Sequence, residues 1–591
     1  MTTPCLGTIR HLLEAQATRT PQAAAILARE RSILSYSALV DQVEQTAKSL
    51  NGIGIGRKDP VAVVLPNGPE MALAFVSIAS VATCAPLNPA YHTQEFDFYL
   101  SDVEAKALIV QAGMNSPAIA VARKHSIPIV ELLPDEQGSA GMFSLVGPKA
   151  SPANDSGFAQ AQDAALILHT SGTTSRPKKV ALTHSQLLCS ADAIATGLQL
   201  TPADRCLNVM PLFHVHGLIG AVLASLAAGS SVVCTQAFDA STFFAYLREF
   251  HPTWYTAVPA IHQAVLAIAN KRPRAVSLRF IRSCSASLPS GLMRELEEVY
   301  GIPVIEAYGM TEAGHQIASN PLPPRGRKAG SVGLPTGTEI AVMNGQGGIL
   351  LPGEKGEIVI RGRSVISGYA SALADNTKFM EGWFRTGDQG YLDEDGYVFI
   401  TGRLKEIVNR GGEKISLREV DEALLEHPQV AQAAAFALPH PSLGEDMAAA
   451  VVVRDERQVT ASMLRDFLIS RLADFKIPTR IWFVDQIPRT ATGKIRRDQL
   501  ANNIIQENNK PACAGNRVEA MVAEIYAEVL RVQDVGSRDN FFALGGDSLR
   551  ATQVLSRVRA AFEINLPIAT IFTKPTVAEL AQEIASAESS S

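Results

Sequence analysis

Runs of β-forming residues alternate with helix-length segments through the first four hundred residues of this chain. The clearest runs are residues 61–65, 165–168, 231–234 and 304–306. Such alternation is the pattern of a largely parallel sheet whose strands are connected by helices. At 591 residues the chain also exceeds the length at which a single hydrophobic core stops growing, so two or more separately cored units are expected. The first unit is therefore predicted to be a large α/β domain.

The pattern changes near residue 402 and again near residue 506. After 402 the sequence indicates helix, strand and helix within a short span, whereas the polar stretch after 505 contains Pro511 and has no apolar periodicity. Helical apolar spacing returns at Met521, Ile525 and Leu530. We therefore divide the chain into an α/β domain at residues 1–402, a small α+β domain at 403–505, a linker at 506–514 and an all-α domain of four-helix type at 515–588.

Charge and cysteine content narrow the class of protein. A net charge of −5 gives no basic excess with which to neutralise a phosphate backbone, so nucleic acid is not an expected partner. Seven cysteines lie scattered without paired spacing, which indicates reduced thiols in a cytoplasmic protein.

The uncharged stretch 215–234 is long enough to cross a bilayer, but glycines and serines interrupt it, so a buried helix and a strand are expected there and no membrane span. The N-terminus lacks a basic start followed by a long apolar run, so no secretory signal is expected.

Hydroxyl and cationic side chains crowd the segment that follows the predicted strand 166–168. Residues 169–179 are HTSGTTSRPKK, with five hydroxyls, one glycine and three cations. A loop of this composition can surround a polyphosphate with hydrogen-bond donors. It is not the GxxxxGK[ST] loop of the P-loop NTPases. Taken alone, the segment is equally compatible with a solvated turn.

Four further segments decide between these interpretations. In order they are EAYGMTE at 306–312, WFRTGD at 383–388, GRLK at 402–405 and PRTATGK at 488–494. Together with the loop at 169–179 they resemble the adenylate-forming superfamily of acyl-CoA synthetases, luciferases and nonribosomal peptide synthetase adenylation domains. The resemblance covers about residues 10–505. It implies the fold of that superfamily, a large N-terminal α/β domain followed by a small, mobile α+β lid.

The resemblance implies a role for each motif residue. Loop residues would hold the phosphates of ATP, while Thr311 would add a donor and Glu312 a carboxylate for Mg²⁺, which prefers hard oxygen ligands. Asp388 would accept both ribose hydroxyls, Arg403 would approach the same sugar, and Tyr308 would stack on adenine. The alternative for each is an ordinary surface ion pair or core aromatic. The predicted loop ligands are Thr170, Ser171, Gly172, Thr173, Thr174 and Lys178.

Lys494 corresponds to the catalytic lysine of the superfamily. It lies in a glycine-containing loop near the end of the small domain, which suits a side chain delivered by a closing lid. Its charge would balance the negative charge that develops between the substrate carboxylate and the α-phosphate. Lys405 corresponds to the hinge about which the lid would rotate between adenylation and thioester formation. Two loop positions depart from the superfamily, because Ser175 and Lys179 stand where most members have glycine, and a positive φ there would cause strain.

The C-terminal domain contains DNFFALGGDSL at residues 539–549. This segment resembles the attachment motif of acyl and peptidyl carrier domains. The resemblance implies that Ser548 carries 4′-phosphopantetheine at the start of a helix, where the helix dipole favours a phosphate. It also implies a phosphopantetheinyl transferase as a partner. The alternative is an N-capping serine.

Segments at residues 211–217, 253–259, 282–288 and 310–315 resemble the oxalyl-CoA synthetases of plants and fungi. Three of their polar residues, His214, Ser285 and His315, form a predicted pocket for a short diacid, because a second carboxylate needs donors or cations once it loses water. The two histidines are also compatible with a purely structural role. Asp239 imitates the aspartate that receives the ammonium in amino-acid-activating domains, but it falls too late in the chain. A small non-amino acid such as oxalate is therefore expected.

These inferences predict an ATP-dependent, AMP-forming acid–thiol ligase with ATP, Mg²⁺ and 4′-phosphopantetheine as cofactors. It would activate a small carboxylic acid as an acyl adenylate and transfer the acyl group to its own carrier domain. No further catalytic domain is expected after residue 588, so a downstream enzyme in trans would accept the acyl group. Three alternatives stay open: an oxalate-directed acid–CoA ligase that uses free coenzyme A, an amino-acid-activating adenylation and carrier module, and a non-catalytic delivery module.

Overall fold

A computed structural model describes most of the chain. The described residues are 7–148, 151, 153, 155–170, 177–269, 277–369, 378–410, 413–440, 443–454, 459–490, 493–508, 517–530, 535–537, 539–542, 544, 548–564 and 566–588. The chain divides into two compact units, the first formed by Met1–Lys405 with Arg489–Lys494 and the second by Glu406–Pro488 with Ile495–Ser591.

The first unit is built of strands and helices that alternate along the chain. Its strands are β1 (Ala24–Leu27), β2 (Leu34–Ser35), β3 (Pro60–Val64), β4 (Thr83–Pro86), β5 (Ala107–Gln111), β6 (Ile129–Pro134), β7 (Phe143–Val146), β8 (Ala164–Thr170), β9 (Lys178–Thr183), β10 (Arg205–Asn208), β11 (Ser231–Cys234), β12 (Trp254–Ala257), β13 (Phe280–Ser283), β14 (Val304–Met310), β15 (His315–Ser319), β16 (Leu334–Pro335), β17 (Glu339–Met343), β18 (Gly356–Arg361), β19 (Phe379–Met380), β20 (Trp383–Leu392) and β21 (Val398–Arg403). Its helices are α1 (Ile9–Arg19), α2 (Tyr36–Gly52), α3 (Pro69–Ala79), α4 (Thr93–Val103), α5 (Pro117–Lys124), α6 (His184–Gly197), α7 (Ala224–Ala227), α8 (Ala240–Phe250), α9 (Pro259–Ala269) and α10 (Ser290–Tyr300), with a π-helix at His216–Leu223.

These strands form three sheets. A seven-stranded sheet has the order β7-β6-β5-β3-β4-β8-β9 and a nine-stranded sheet the order β16-β15-β14-β13-β12-β10-β11-β1-β2. Both are parallel in the middle and antiparallel at their ends. The third sheet is antiparallel, with the order β17-β18-β20-β19 and β21 beside β20. The α/β prediction is confirmed.

Helix α3 shows why the two large sheets pack as layers. All but one of its residues are buried, which is the pattern of a helix enclosed within a domain. It contacts β4 of the seven-stranded sheet and β1 and β11 of the nine-stranded sheet. Pro69 begins the helix, at the position where a missing N–H costs nothing. The apolar sequence of α3 therefore joins two sheets through one shared core.

The stretch 215–234 is the buried helix and strand that the sequence predicts. It comprises the π-helix His216–Leu223, the short α7 and the central strand β11. Every residue of the π-helix is buried within the first unit. Within the described part of the chain, no helix combines the length and the apolar character that crossing a membrane requires.

The second unit combines an α+β sheet region with a helical bundle. Its strands are β22 (Ile407–Arg410), β23 (Glu413–Ser416), β24 (Val430–His440), β25 (Gly444–Val453) and β26 (Arg480–Phe483), and its helices are α11 (Leu417–Leu425), α12 (Ala461–Ile469), α13 (Arg497–Asn508), α14 (Arg517–Leu530), α15 (Ser548–Phe562), α16 (Ala569–Thr573) and α17 (Val577–Glu588). The sheet has the order β23-β22-β25-β24, with β26 parallel to β25. The predicted α+β domain and the predicted helical carrier domain are therefore both confirmed as fold classes.

The four C-terminal helices share their own core. It is formed by buried side chains from α14, α15, α16 and α17, among them Tyr526, Val558, Ile571 and Ile584. Phe541, at the start of the predicted attachment motif, is fully buried and packs edge-on against Tyr526. This segment is thus anchored by an aromatic pair next to the position where α15 begins.

Candidate active site

The predicted phosphate loop connects two paired antiparallel strands. β8 ends at Thr170 and β9 begins at Lys178. The ammonium of Lys178 lies 4.8 Å from the ring centroid of Tyr369, and the Tyr369 hydroxyl donates to Oε1 of Glu312 over 3.0 Å. Tyr369 therefore links the first described residues after the loop to the predicted metal ligand. Four predicted loop ligands and one departing residue lie outside the described residues: Ser171, Gly172, Thr173, Thr174 and Ser175.

Lys179 lacks the positive φ that would have caused backbone strain. It pairs with His169 in the β8–β9 register and has no positive φ. Its ammonium donates to the carbonyl of Asp102 over 2.5 Å, and Nε2 of His169 lies 2.8 Å from Oδ2 of the same aspartate. Lys179 and His169 thus tie the base of the loop to Asp102, and a strand conformation here has no need of glycine.

Three residues assigned to the nucleoside come together around one carboxylate. Asp388 and Arg403 are opposite each other in the β20–β21 register, and Arg403 Nε donates to Asp388 Oδ1 over 3.1 Å. The Tyr308 hydroxyl donates to Asp388 Oδ2 over 2.5 Å, and burial, with the Asp388 charge, raises the pKa of Tyr308 so that it stays a donor. Each carboxylate oxygen has two lone pairs, so Asp388 can still accept from two ribose hydroxyls.

Thr311 and Glu312 lie in a 3-10 turn, Thr311–Ala313, directly after β14. Both side chains are buried. The Tyr369 hydroxyl occupies one oxygen of Glu312, and the other has no hydrogen-bond partner among the described residues. A buried carboxylate with an uncommitted oxygen fits Mg²⁺, which binds through one or two carboxylates together with water and substrate phosphates. The described residues contain no group of three metal-ligating side chains.

Lys494 belongs to the first unit, together with the rest of Arg489–Lys494. A turn shapes this segment, in which Lys494 N–H donates to Thr490 Oγ1 over 3.1 Å. Gly493 has φ +80°, and a Cβ at that position would come within 2.9 Å of Val258. Both facts require glycine. The segment therefore holds Lys494 in place through its own turn and through the close approach of Gly493 to Val258.

Electrostatics connect Lys494 to the rest of the site. Burial lowers the pKa of Lys494 and Arg403 lowers it further, whereas Asp388 and Glu312 raise it. Burial also lowers the pKa of His214 to about 3, and the charge of Lys494 adds to this effect. The lysine predicted to be catalytic is therefore close to residues of the nucleoside, metal and acid regions.

The three predicted pocket residues surround a fourth side chain, His216, which the sequence analysis did not select. The N–H of His216 donates to Nδ1 of His214 over 3.4 Å, and Nδ1 of its ring lies 3.0 Å from Ser285 Oγ. Its ring stacks on His315, with centroids 5.2 Å apart. Its Nε2 lies 2.6 Å from Thr256 Oγ1. His214, Ser285 and His315 thus share His216 as their common neighbour, His214 through its backbone N–H and the other two through its ring.

Arg282 is the second residue that the sequence analysis missed. Its side chain is 0% exposed, and it donates to Thr256 Oγ1 over 3.1 Å, to His315 Nε2 over 3.1 Å and to Gln316 Oε1 over 2.9 Å. A signal was available in the sequence. Arginine almost never lies fully buried without a charged partner, so an arginine inside the apolar strand FIRS was anomalous.

Two of the pocket residues have backbone conformations that L-residues rarely adopt. Ser285 has φ +72° and His315 has φ +120°. Such conformations are unfavourable for residues with a Cβ and persist where the surrounding structure holds them, often at functional sites. The packing therefore fixes the positions of both polar side chains.

The π-helix His216–Leu223 makes room for this cluster. π-Helical turns are rare in proteins, and those that occur are often found at functional sites. A Cβ on Gly220 would come within 2.6 Å of His315 Nε2 and within 3.4 Å of Arg282 Nη1. Glycine at this position therefore lets an imidazole and a guanidinium approach the helix backbone.

The remaining predictions concern residues at three other places. Lys405 is the last residue of the main segment of the first unit and lies in a 3-10 turn, Leu404–Glu406. Ser548 is the first residue of α15, a helix of 15 residues, while its side chain and the residues 545–547 lie outside the described part. Asp239 is exposed and caps α8 by accepting from Ser241 N–H over 3.0 Å, so the aspartate that imitates an ammonium site has a structural role.

The fold and the clustered motif residues define an adenylate-forming enzyme. The chain belongs to the AMP-binding enzyme family, whose pattern matches residues 13–370. The AMP-binding enzyme C-terminal domain matches residues 419–494, and the phosphopantetheine attachment site matches residues 521–584. The chain is thus an ATP-dependent, AMP-forming acid–thiol ligase with a phosphopantetheine-binding domain.

Curated relatives and solved structures agree with this assignment. The oxalate–CoA ligase of Arabidopsis thaliana is 43% identical over 85% of this chain and 99% of the relative, and that of Saccharomyces cerevisiae is 41% identical over 76% of this chain and 88% of the relative. The O-succinylbenzoate coenzyme A synthetase of Bacillus subtilis, solved with ATP and magnesium ion, superimposes with a TM-score of 0.71 at 28% identity, over 83% of this chain and 98% of that one.

Proposed function

We propose that this protein activates a short dicarboxylic acid, of the size of oxalate, and passes the acyl group to the phosphopantetheine arm of its own carrier domain. The observation that carries the proposal is the arrangement of His214, Ser285 and His315 around His216, with Lys494 beside His214. This cluster offers a second carboxylate the hydrogen-bond donors that it needs when it leaves water.

In the adenylation step the chain's own residues bind and orient the reactants. Asp388 accepts the ribose hydroxyls, Tyr308 lines the adenine side, and Thr311 with the loop residues donates to the phosphates. The ammonium of Lys494 stabilises the negative charge that develops as the acid oxygen attacks the α-phosphorus and pyrophosphate leaves. Glu312 would hold Mg²⁺, which would supply positive charge to the phosphates.

Three features support a short diacid over other acids. The pKa values of His214 and His315 are lowered by burial, so both stay neutral and each presents one N–H at neutral pH. Asp239 caps a helix at the surface, so its carboxylate is not placed to receive a substrate ammonium. The relatives that share most of their length with this chain include oxalate–CoA ligases.

The C-terminal helical domain supports self-loading. Ser548 begins α15, and a helix of that length favours a phosphate at its N-terminus. Phosphopantetheine on Ser548 would supply the thiol, whose sulfur would form the thioester bond as AMP leaves the acyl carbon. A phosphopantetheinyl transferase installs the arm, and a separate enzyme receives the acyl group from it.

Intact-protein mass spectrometry tests this proposal. The phosphopantetheinylated chain is incubated with ATP, Mg²⁺ and, separately, oxalate, malonate, glyoxylate, acetate and glycine. We expect a mass increase matching the acyl group with a short diacid, and its loss in Ser548→Ala and in Lys494→Ala. Ser586→Ala, a serine of α17 away from the attachment motif, is the matched control and should acylate normally. An adduct with glycine alone would instead identify an amino-acid-activating module, and no ATP-dependent reaction with any acid would leave a delivery module.

A second function is favoured by one specific observation. The Arabidopsis oxalate–CoA ligase is matched over 99% of its length within 85% of this chain, so the rest of this chain has no counterpart in it. That relative is named for coenzyme A as its acceptor, and free coenzyme A could be the acceptor here as well. Formation of acyl-CoA by Ser548→Ala at the wild-type rate, with no adduct on the wild-type chain, would establish this alternative.

A further inference from the structure

The buried guanidinium of Arg282 is unusual because no carboxylate faces it among the described residues. Its hydrogen-bond partners include a hydroxyl, an imidazole and an amide, from Thr256, His315 and Gln316. The thiols of Cys284 and Cys206 are also near, and they partly offset the lowering of the Arg282 pKa by burial. Arg282 and Thr256 are direct register partners on the parallel strands β13 and β12. A buried cation without a counter-ion is costly unless an anion shares its surroundings. The cluster is thus suited to an anionic ligand that the neighbours of Arg282 contact.

Arg282 fixes the tautomer of His315. A guanidinium can only donate, so Nε2 of His315 must accept. A neutral imidazole with Nε2 as acceptor carries its proton on Nδ1. His315 therefore offers a donor at Nδ1, the ring nitrogen that Arg282 does not occupy.

Arg282 also favours one direction in the second branch, because a Thr256 hydroxyl that accepts from Arg282 still needs an acceptor for its own proton. Its Nη1–H donates to Thr256 Oγ1, and the acceptor described for the Thr256 hydroxyl proton is Nε2 of His216. His216 then carries its proton on Nδ1 and donates to Ser285 Oγ. Ser285, which is partly exposed, keeps its own O–H for a further acceptor. Both branches that begin at Arg282 therefore end in a donor.

We propose that Arg282 is a specificity-determining positioning residue, which orients Thr256, His216, Ser285 and His315 so that the acid pocket presents donors and selects a carboxylate as the second group of the substrate. Arg282 is fully buried, so it acts through these neighbours and does not touch the acid. Its positive charge adds to the selection because the surroundings have low polarity and screen it weakly. This inference rests on the proposed activation of a short dicarboxylic acid.

Oxalate and oxamate separate an orienting role from a merely structural one. The two acids have the same size, but oxamate replaces one carboxylate by an amide whose NH₂ would face donors. Initial rates of pyrophosphate release give kcat/KM for both acids with wild type, Arg282→Met and Arg282→Lys. We expect Arg282→Met to lower the oxalate-to-oxamate ratio of kcat/KM by about 10- to 100-fold, the loss expected for a charged hydrogen-bond network. Arg282→Lys, which keeps the charge but lacks the planar fork that places two donors, should lower the ratio by less.

Two further variants keep the test decisive. Arg361→Met removes an exposed arginine that pairs with Glu339, and it should leave the ratio unchanged. Thr256→Val preserves the side-chain volume and interrupts only the branch to His216 and Ser285. It should lower the oxalate-to-oxamate ratio of kcat/KM about tenfold. This variant tests the inference if the Arg282 variants do not fold. If wild type uses oxalate and the Arg282 or Thr256 variants lose both acids equally, the inference is overturned. If wild type uses no short diacid, the proposed function fails instead.

Discussion

Asp388 and Arg403 occupy directly opposed positions on β20 and β21, and a 3.1 Å contact joins Arg403 Nε to Asp388 Oδ1. Asp388 is buried whereas Arg403 is 42% exposed. The strand register therefore holds the carboxylate in a fixed orientation while one of its neighbours remains accessible to solvent. This arrangement suits a residue that must accept hydrogen bonds from a nucleoside without moving.

Asp388→Asn should weaken nucleotide binding. The amide keeps the size of the carboxylate but replaces one acceptor oxygen by a donor and removes the charge. The KM for ATP in pyrophosphate exchange should rise by about 10- to 100-fold, as expected for loss of hydrogen bonds to a charged acceptor. Glu339→Gln, at an exposed ion pair with Arg361, is the control and should leave this KM unchanged. An unaltered KM in Asp388→Asn would remove Asp388 from the nucleotide site.

Lys494→Ala should slow the first half-reaction selectively. Loss of one electrostatic stabiliser lowers the rate by about 10²–10³-fold. Adenylation is measured by pyrophosphate exchange, and thioester formation is measured separately from a synthetic acyl adenylate. The second rate should stay within about threefold of wild type, since Lys494 acts on charge that develops only during adenylation. Equal losses in both half-reactions would contradict the assignment.

The fall of the adenylation rate at alkaline pH should also depend on Lys494. Its pKa is lowered by burial and by Arg403, so it loses its proton at a lower pH than a solvated lysine. A rate that requires the ammonium must fall as the pH rises through this lowered pKa. Lys494→Arg keeps its charge to much higher pH, so any activity that it retains should not show this fall. The measurement is kcat/KM for ATP against pH for both proteins.

The acid pocket should not titrate near neutral pH. Burial lowers the pKa of His214 to about 3 and holds the pKa values of His216 and His315 well below the ordinary value of histidine. All three rings therefore stay neutral at neutral pH. We expect kcat/KM for the acid to show no inflection near the ordinary histidine pKa. An inflection there that disappears in His214→Asn would contradict this prediction.

Gly220→Ala should damage the pocket more than the fold. The added Cβ would lie 2.6 Å from His315 Nε2, so the imidazole or the helix must shift. Overpacking of this kind costs about 1–3 kcal/mol of stability. The KM for the acid should rise while the KM for ATP stays constant. Gly291→Ala, in α10 with no atom within 4 Å of the added Cβ, is the control and should leave stability unchanged or raise it by up to about 1 kcal/mol.

Much of the candidate nucleotide site was predictable because its residues lie in short continuous motifs. The segment that contains Tyr308, Thr311 and Glu312 lies along β14 and the turn after it, so local sequence was sufficient to group them. Asp388 and Arg403 were found by their separate motifs, and the structure adds the register that pairs them. Ser548 and the helical spacing around it likewise indicated a carrier domain. The roles of all these residues stay predictions, and the loop residues 171–176 lie outside the described part of the chain.

The sequence by itself determined the α/β order of the first unit, the two smaller folds and the motifs, because periodicity and turn chemistry are local properties. Only the tertiary structure decided the network beneath the acid pocket. Arg282 donates to Thr256 across 26 positions of sequence, and His216 meets Ser285 across 69. These contacts depend on the register of β12 against β13 and on the π-helix that starts at His216. The direction of the hydrogen bonds to Thr256 and His315 then follows from a guanidinium that can only donate, which no local pattern specifies.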